Sequence, residues 1–285
     1  MKNTGFIQTI KQRILEANSH ICVGLDSDYE KLPSVVTKNK STEQAIFEFN
    51  TKIIDATHDI VTAYKSNMVF YAGYGIDGLK ALQRTNEYIK KNYPGIKTIA
   101  DAKRSEMLRS SELTAYEMFN EFHFDAFTAT PWFGFDTIEP YQAYQGKAVF
   151  IPCHDSNPSA GDIQDVKLEN GDYLYEHAAK LVAEKWNQSG NIFIEAPLTY
   201  PKILARINEL AGDDEFFMIA GLGAQGGRIS DLSIFQRRRN FIVSASRSII
   251  FAASDTIFDQ AARNKVLEYR AEINNVLVVK PPEAS

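Results

Sequence analysis

The chain has 285 residues and a net charge of −5, so it lacks the excess of basic residues that binding to nucleic acid or to an anionic membrane requires. Its hydrophobic content of 44% and charged content of 24% are typical of globular proteins, and no apolar run approaches the roughly 20 residues of a membrane span. The N-terminus has no apolar signal-peptide core, and Cys22 and Cys153 lie in apolar runs, which favours reduced thiols in a cytoplasmic protein.

Short apolar runs alternate with segments of helical periodicity along the chain. An N-terminal helix comes first and ends near Ala17, because its apolar residues recur at helical spacing. Eight strand-like runs follow, over residues 20–26, 61–65, 99–103, 124–129, 147–153, 191–195, 215–220 and 240–245. Each run leads into a helical segment, including helices over about 107–122 and 173–189, one that ends near Tyr144, and a long last helix that follows Ser248 and ends near Leu277.

Eight strand–helix units predict an α/β fold of the (β/α)8 TIM-barrel type, with an extra N-terminal helix. The length fits the roughly 250 residues of such barrels, and buried parallel strands are expected to be continuous apolar runs, as these mostly are. An open doubly wound sheet is the alternative, but Gly24-Leu25-Asp26 after the first run is not a dinucleotide fingerprint. No linker or low-complexity segment divides the chain, so residues 1–285 are predicted to form one domain.

Charged residues gather after the second and third strands, where a barrel places functional residues. Lys65 ends the second run, and Asp101 and Lys103 end the third, two residues apart and therefore on one face of a strand. Glu106 follows three residues later. Lysines interleaved with carboxylates hold each other ionised, and such a lysine can donate a proton to a developing carbanion. The alternative is a solvated salt-bridge cluster, which the apolar residues before Asp101 disfavour.

A phosphate site is predicted after the last two strands. The run Gly223-Ala224-Gln225-Gly226-Gly227 follows the seventh strand, and Ser246-Arg247-Ser248 follows the eighth. Barrels often bind phosphate between these two loops through backbone N–H groups, and an arginine adds charge-assisted hydrogen bonds.

The remaining strand ends carry weaker signals. Asp26 ends the first strand, and Asp155-Ser156-Asn157 follows the fifth. The five histidines are dispersed, no His and Cys residues have metal-ligand spacing, and only His154 lies in a predicted loop at the mouth of the barrel. The long polar segment from Ala160 to Asp172 is a candidate lid.

Several motifs along the eight predicted strands, taken together and in their order, resemble those of the orotidine 5′-phosphate decarboxylase family, specifically its longer bacterial branch. The resemblance runs from Val23-Gly24-Leu25-Asp26 to Ser246-Arg247. The motifs between these ends are Lys65-Ser66-Asn67 with Phe70-Tyr71, Asp101-Ala102-Lys103-Arg104, Ser156-Asn157-Pro158 with Ala160-Gly161-Asp162, Thr199-Tyr200-Pro201, and Gly223 to Gly227.

The resemblance implies decarboxylation of orotidine 5′-monophosphate (OMP) to UMP in pyrimidine synthesis, without a metal or a cofactor. By that analogy Lys103 protonates C6 of the pyrimidine as carbon dioxide leaves, Asp101 lies against the departing carboxylate, and Lys65 links the charge network to a ribose hydroxyl. The remaining substrate contacts would come from Asp26 to the ribose, Ser156 to the pyrimidine edge, and Gln225 and Arg247 to the phosphate. The family also implies a homodimer with two shared sites, in which Glu106 and Ser110 reach the neighbouring subunit's site.

The chain departs from the family's pattern at four places. Ser105 and Glu106 replace the Gly-Asp of the usual Asp-x-Lys-x-Gly-Asp, Leu108-Arg109 replaces Gly-Asn, and Ser248 replaces a glycine. Glu reaches roughly 1.5 Å further than Asp, and Ser105 removes a glycine that favours positive φ. Two alternatives therefore stay open: a nucleotide-binding barrel that has lost the chemistry, and a metal-dependent sugar-phosphate enzyme with a related Asp-x-Lys-x-x-Asp pattern.

Overall fold

Eight parallel strands close into a barrel, which confirms the predicted fold. The computed structural model describes residues 5–237 and 239–278. Each strand pairs with the next in chain order, and β8 pairs with β1 through Ile21 and Val243. The strands are β1 Ile21–Gly24, β2 Ala63–Asn67, β3 Lys97–Asp101, β4 Ala126–Thr128, β5 Ala148–Pro152, β6 Ile192–Pro197, β7 Phe217–Ala220 and β8 Phe241–Ala245.

Helices follow the strands and surround the barrel. The α-helices are α1 Gly5–Ala17, α2 Ser34–Thr37, α3 Thr42–Thr57, α4 Val69–Ala72, α5 Gly75–Asn92, α6 Arg109–Tyr116, α7 Gly161–Gln164, α8 Leu174–Lys180, α9 Pro201–Ala211, α10 Arg247–Ile250 and α11 Phe258–Val276. One π-helical segment continues α6 over Glu117–Glu121, and another continues α8 over Leu181–Trp186. Short 3-10 helices span Tyr29–Lys31, Phe135–Thr137, Glu139–Ala143, Pro158–Ala160 and Ile229–Phe235.

Three predicted elements differ from the structure. The third strand ends at Asp101 instead of Lys103, because the backbone turns to a φ of 46° at Lys103. The predicted helix that ends near Tyr144 is two 3-10 helices, the second with Pro140 in its first turn, where the missing N–H is tolerated. The predicted last helix is broken between α10 and α11, where the Asp255 carboxylate accepts a hydrogen bond from the Ile257 N–H at the start of α11.

Successive side chains of each strand point alternately outward and into the barrel, so the core has two layers. Outward residues pack against the helices, whereas inward residues such as Cys22, Ile99 and Phe150 fill the barrel. Helix α1 packs into the amino-terminal end of the barrel through Phe6, Ile10 and Ile14, and the Phe6 ring lies 6.0 Å from the Phe150 ring. The apolar filling leaves the polar inward residues at the carboxyl ends of the strands, opposite α1.

Candidate active site

A cavity of about 180 Å³ lies at the carboxyl end of the barrel. Seven of the nine predicted site residues line it, and they come from both sides of the barrel: Asp26, Lys65, Asp101, Lys103, Ser156, Gln225 and Arg247. Glu106 and Ser110 do not line this cavity and are exposed on the segment after β3. The fold therefore brings the predicted charge network and the predicted phosphate loops to one place.

Asp101 bridges two lysines. Its Oδ2 lies 2.5 Å from the Lys65 ammonium, and its Oδ1 lies 2.6 Å from the Lys103 ammonium. Lys65 and Asp101 are both buried, whereas 41% of the Lys103 side chain is accessible. Lys103 is thus the member of the triad that faces the open part of the cavity.

The backbone around Lys103 is held by β4. The amide N–H groups of Ala102 and Lys103 both donate to Thr128 Oγ1, at 3.0 and 2.8 Å. The Thr128 hydroxyl in turn donates to Asp101 Oδ1 at 3.3 Å. These bonds stabilise the left-handed backbone at Lys103, which returns its side chain to Asp101 although the strand has ended. Thr128 is a site residue that the sequence analysis did not identify.

The triad keeps all three of its groups charged. Burial alone would raise the pKa of Asp101, but the adjacent Lys65 and Lys103 outweigh it and hold that pKa well below its usual range. Burial alone would lower the pKa of both lysines, but neighbouring carboxylates outweigh it, so both values are raised. The carboxylate is Asp101 for Lys65; for Lys103 they are Glu195, when it is ionised, and Asp101. Lys103 is therefore an ammonium group at neutral pH, the form that can give up a proton.

Glu195 on β6 is a second buried carboxyl in the cavity. It lies on the inward face between Phe193 and Pro197 and is 4% exposed. Burial raises the pKa of Glu195 to about 7, partly offset by Lys103. Its Oε2 has no hydrogen-bond partner among the described residues. The signal in the sequence was an acid at the end of an apolar run, the same pattern that identified Asp26 and Asp101.

The opposite side of the cavity is formed by the loops after β7 and β8. Gly221 and Gly223 have φ values of 99° and 83°, which glycine adopts without strain. A Cβ on Gly223 would lie 2.3 Å from the Ser248 hydroxyl oxygen, so Ser248 occupies the space that Gly223 leaves open. Gln225 and Arg247 line the cavity here, and none of the described side chains forms an ion pair or a hydrogen bond with the Arg247 guanidinium.

The loop after β5 joins the cavity to the following segment. His154, Asp155 and Ser156 line the cavity, and the His154 ring is buried between Tyr175 and Tyr200. Gln164 of α7 binds Asp155 twice, accepting from its N–H at 2.8 Å and donating to its carboxylate at 2.8 Å. The candidate lid, residues 160–172, is therefore partly helical and tied to a loop that lines the cavity, and its role as a lid stays a prediction.

The part of the chain that the structure describes contains neither a metal-binding group of side chains nor a helix that could span a membrane. Within residues 5–237 and 239–278, no three His, Cys, Asp or Glu side chains form a group that could hold a metal ion. In the same ranges no helix combines the length and the apolar character of a membrane span.

Comparison with known proteins identifies the family. The chain is 36% identical over 272 residues to the orotidine 5′-phosphate decarboxylase of Flavobacterium johnsoniae, a match that covers 95% of this chain and 97% of that protein. It is 37% identical over 273 residues to the protein of the same name from Dechloromonas aromatica, covering 94% and 98%. The chain belongs to the orotidine 5′-phosphate decarboxylase family. The solved OMP decarboxylase of Leishmania donovani has a TM-score of 0.79 at 28% identity and covers 96% of this chain and 100% of that one. No protein-family model matches the chain.

The segment that departs from the decarboxylase pattern is locally well bonded. Ser105 does not have positive φ, so replacing the family's glycine there carries no backbone strain. Its hydroxyl donates to the Thr130 carbonyl and accepts from the Thr130 hydroxyl at 3.0 Å. Leu108 stands where the decarboxylase pattern has glycine, and it has a φ of 45° with its side chain 74% exposed. The strain expected at Ser105 therefore falls at Leu108 instead.

Proposed function

We propose that this chain converts OMP to UMP and carbon dioxide, a step of pyrimidine biosynthesis. The observation that carries the proposal is one cavity that contains the Lys65–Asp101–Lys103 triad on one side and Gln225 with Arg247 on the other. Full-length similarity to curated orotidine 5′-phosphate decarboxylases supports the same activity.

In the proposed reaction Lys103 is the proton donor. The bond between C6 and the carboxylate breaks, its electron pair stays on C6, and carbon dioxide leaves. The Lys103 ammonium then transfers a proton to C6, becomes a neutral amine and regains a proton from water. Asp101 holds Lys103 in place at 2.6 Å and keeps it protonated until the carbanion develops. No metal ion or cofactor takes part in this scheme.

The rest of the substrate is assigned to the other lining residues. Arg247 and Gln225 bind the phosphate, since both line the cavity and the guanidinium, which no described side chain engages, can form charge-assisted hydrogen bonds. Ser156 contacts the pyrimidine edge, and Asp26 binds the ribose together with Lys65. Asp26 is oriented for this role because its Oδ1 accepts a hydrogen bond from the Asn67 N–H at 3.1 Å. Binding energy from the remote phosphate helps to organise the reacting end.

A direct assay tests the activity. Purified protein is incubated with OMP, with and without a chelator, and UMP formation is followed by absorbance. We expect turnover that the chelator does not change, and loss of at least about 100-fold in Lys103→Ala, the range for removal of a general acid. Lys97→Ala is the matched control, because Lys97 lies at the other end of β3 and pairs with Asp125 at 3.6 Å. Wild-type protein that binds UMP but never turns over OMP would support the non-catalytic alternative, and loss of turnover with chelator would support a metal-dependent one.

We also propose a homodimer with shared sites. Exposed apolar side chains flank Glu106 and Ser110 along the chain and follow Thr130 after β4, and the Ser105–Thr130 hydrogen bonds join these two segments into one patch. Its side chains are 42% to 74% exposed: Met107, Leu108, Leu113, Tyr116, Trp132 and Phe133. Patches of this kind mark interaction sites, and a second copy of the chain would cover this patch and receive Glu106.

We place this single-domain protein, residues 1–285, in the cytoplasm, as the buried free thiols of Cys22 and Cys153 favour.

Subunit mixing tests the shared site. Lys103→Ala and Glu106→Ala proteins are each expected to be inactive and to regain about a quarter of wild-type activity after subunit exchange. Half of the dimers are then mixed, and each mixed dimer contains one intact site. Lys103→Ala mixed with Lys97→Ala is the control for mixing, because half of its sites are intact and its activity stays at about half of the wild-type value before and after exchange. Mixtures that stay inactive, although exchange is shown by tagged subunits, would contradict the sharing of sites.

A further inference from the structure

The proposed reaction gives no role to Glu195, the second buried carboxyl in the cavity. We propose that Glu195 contacts the leaving carboxylate of OMP as a neutral carboxylic acid, so that substrate binding is coupled to the uptake of one proton by this side chain. The inference rests on the proposed function, because that function places C6 and its carboxylate beside Lys103.

The position of Glu195 points to a ligand. It is a fully inward residue of β6, paired in register with Pro152 on one side and Met218 on the other, and neither neighbour offers a hydrogen-bonding side chain. A buried polar atom without a partner costs about 1–3 kcal/mol, and the Glu195 Oε2 is such an atom among the described residues. Because Glu195 lines the same cavity as Lys103, a group bound next to Lys103 can satisfy this oxygen.

The surrounding charges decide which carboxyl takes up the proton. The charged groups that face Glu195 are Lys65 on β2, Asp101 on β3, Lys103 in the following loop and Asp155 after β5. Asp101 and Asp155 disfavour the ionised form of Glu195, and its burial does so more strongly than Lys103 and Lys65 oppose it. Asp101 has two lysines within 2.6 Å and stays charged, whereas Glu195 has no lysine of the described ranges within ion-pair distance and has the raised pKa.

The charge balance of the cavity agrees with this assignment. Three cations and three carboxylates other than Glu195 line it: Lys65, Lys103 and Arg247, with Asp26, Asp101 and Asp155. Ionised Glu195 would give the lining from this chain a net negative charge, and Glu106 of the partner subunit would add to it in the proposed dimer, which opposes a substrate that brings a phosphate and a carboxylate. Protonated Glu195 removes one of these negative charges and supplies one O–H donor, whose hydrogen bond a carboxylate accepts.

The test compares wild type with Glu195→Gln, which keeps the shape of the neutral acid and an N–H donor. The value of kcat/KM for OMP is measured from pH 7 to 9, a range in which the substrate phosphate stays a dianion. A free-enzyme pKa near 7 predicts that wild-type kcat/KM falls about 50-fold over this range. Glu195→Gln has no titrating group, so its kcat/KM is expected to be flat from pH 7 to pH 9.

UMP is the control ligand because it lacks the leaving carboxylate. Its Kd is expected to be the same for both proteins and at both ends of the pH range, which also shows that the variant is folded. Wild-type kcat/KM that is flat or rises from pH 7 to 9, a variant with the same fall as wild type, or a variant that binds UMP but has lost turnover would each overturn the role of Glu195. Absence of wild-type turnover at every pH would instead remove the proposed function and the inference with it.

Discussion

Replacing Glu195 by Gln is expected to make the protein more stable at alkaline pH, apart from any effect on activity. Glu195 is 4% exposed, and its pKa rises from 4.5 in the unfolded chain to about 7 in the folded protein. The folded state therefore keeps a proton that the unfolded state loses, so the stabilising contribution is complete below pH 4.5 and is lost as the pH rises through 7. At 1.36 kcal/mol for each unit of pKa, the full effect is roughly 3 kcal/mol.

Urea unfolding at pH 5 and at pH 8.5 measures this effect. Gln has no titrating group, so the stability of Glu195→Gln relative to wild type is expected to increase by roughly 2–3 kcal/mol between the two pH values. Glu176→Gln is the matched control. Burial alone would raise the pKa of Glu176, but the ion pair with Arg206 outweighs it and lowers that pKa, so Glu176 is ionised in both states above pH 5 and its variant shows no such change. A difference between wild type and Glu195→Gln that is constant with pH would refute the reasoning.

Two further predictions concern the phosphate loop and the segment after β3. Arg247→Ala is expected to raise the Kd for UMP at least about 10-fold, because charge-assisted hydrogen bonds to the phosphate are lost. Arg228→Ala is the control and is expected to leave the Kd unchanged, because the exposed Arg228 guanidinium pairs with Asp231. Equal effects of the two substitutions in UMP titrations would contradict the phosphate assignment. Leu108→Gly is expected to raise the free energy of unfolding by about 1 kcal/mol, because the substitution removes backbone strain at a φ of 45°. Leu113→Gly, within α6, is the control and is expected to lower the free energy of unfolding by a similar amount. A loss of stability in both variants would show that Leu108 is not strained.

The barrel was predictable because each of its strands is a run of buried residues followed by a helical segment. What the sequence did not show is where strands end. Lys103 was expected on the third strand beside Asp101, and its side chain does reach Asp101, but through a turn that hydrogen bonds from β4 stabilise. These hydrogen bonds depend on Thr128, which is 25 residues away from Lys103 along the chain, so local sequence patterns cannot predict them.

The sequence predicted most, but not all, of the residues of the candidate site. The triad and the phosphate loops lie at strand ends, where position along the chain is enough to bring residues together, and seven of the nine residues line one cavity. Glu195 has the same pattern, an acid at the end of an apolar run, but it is not among the residues predicted from the sequence. Glu106 and Ser110 lie outside the cavity of the single chain, and their assignment to a neighbouring subunit's site stays a prediction.

The contact between the two ends of the chain has a consequence for synthesis of the protein on the ribosome. Helix α1 buries Phe6, Ile10 and Ile14 against residues as distant as Ile242, and β1 gains its second neighbour only when β8 has been made. Until about residue 245 has left the ribosome, the apolar face of the first helix has no complete surface to bind. The nascent chain therefore exposes this face through most of translation, and closure of the barrel is a late event that depends on contacts distant in sequence.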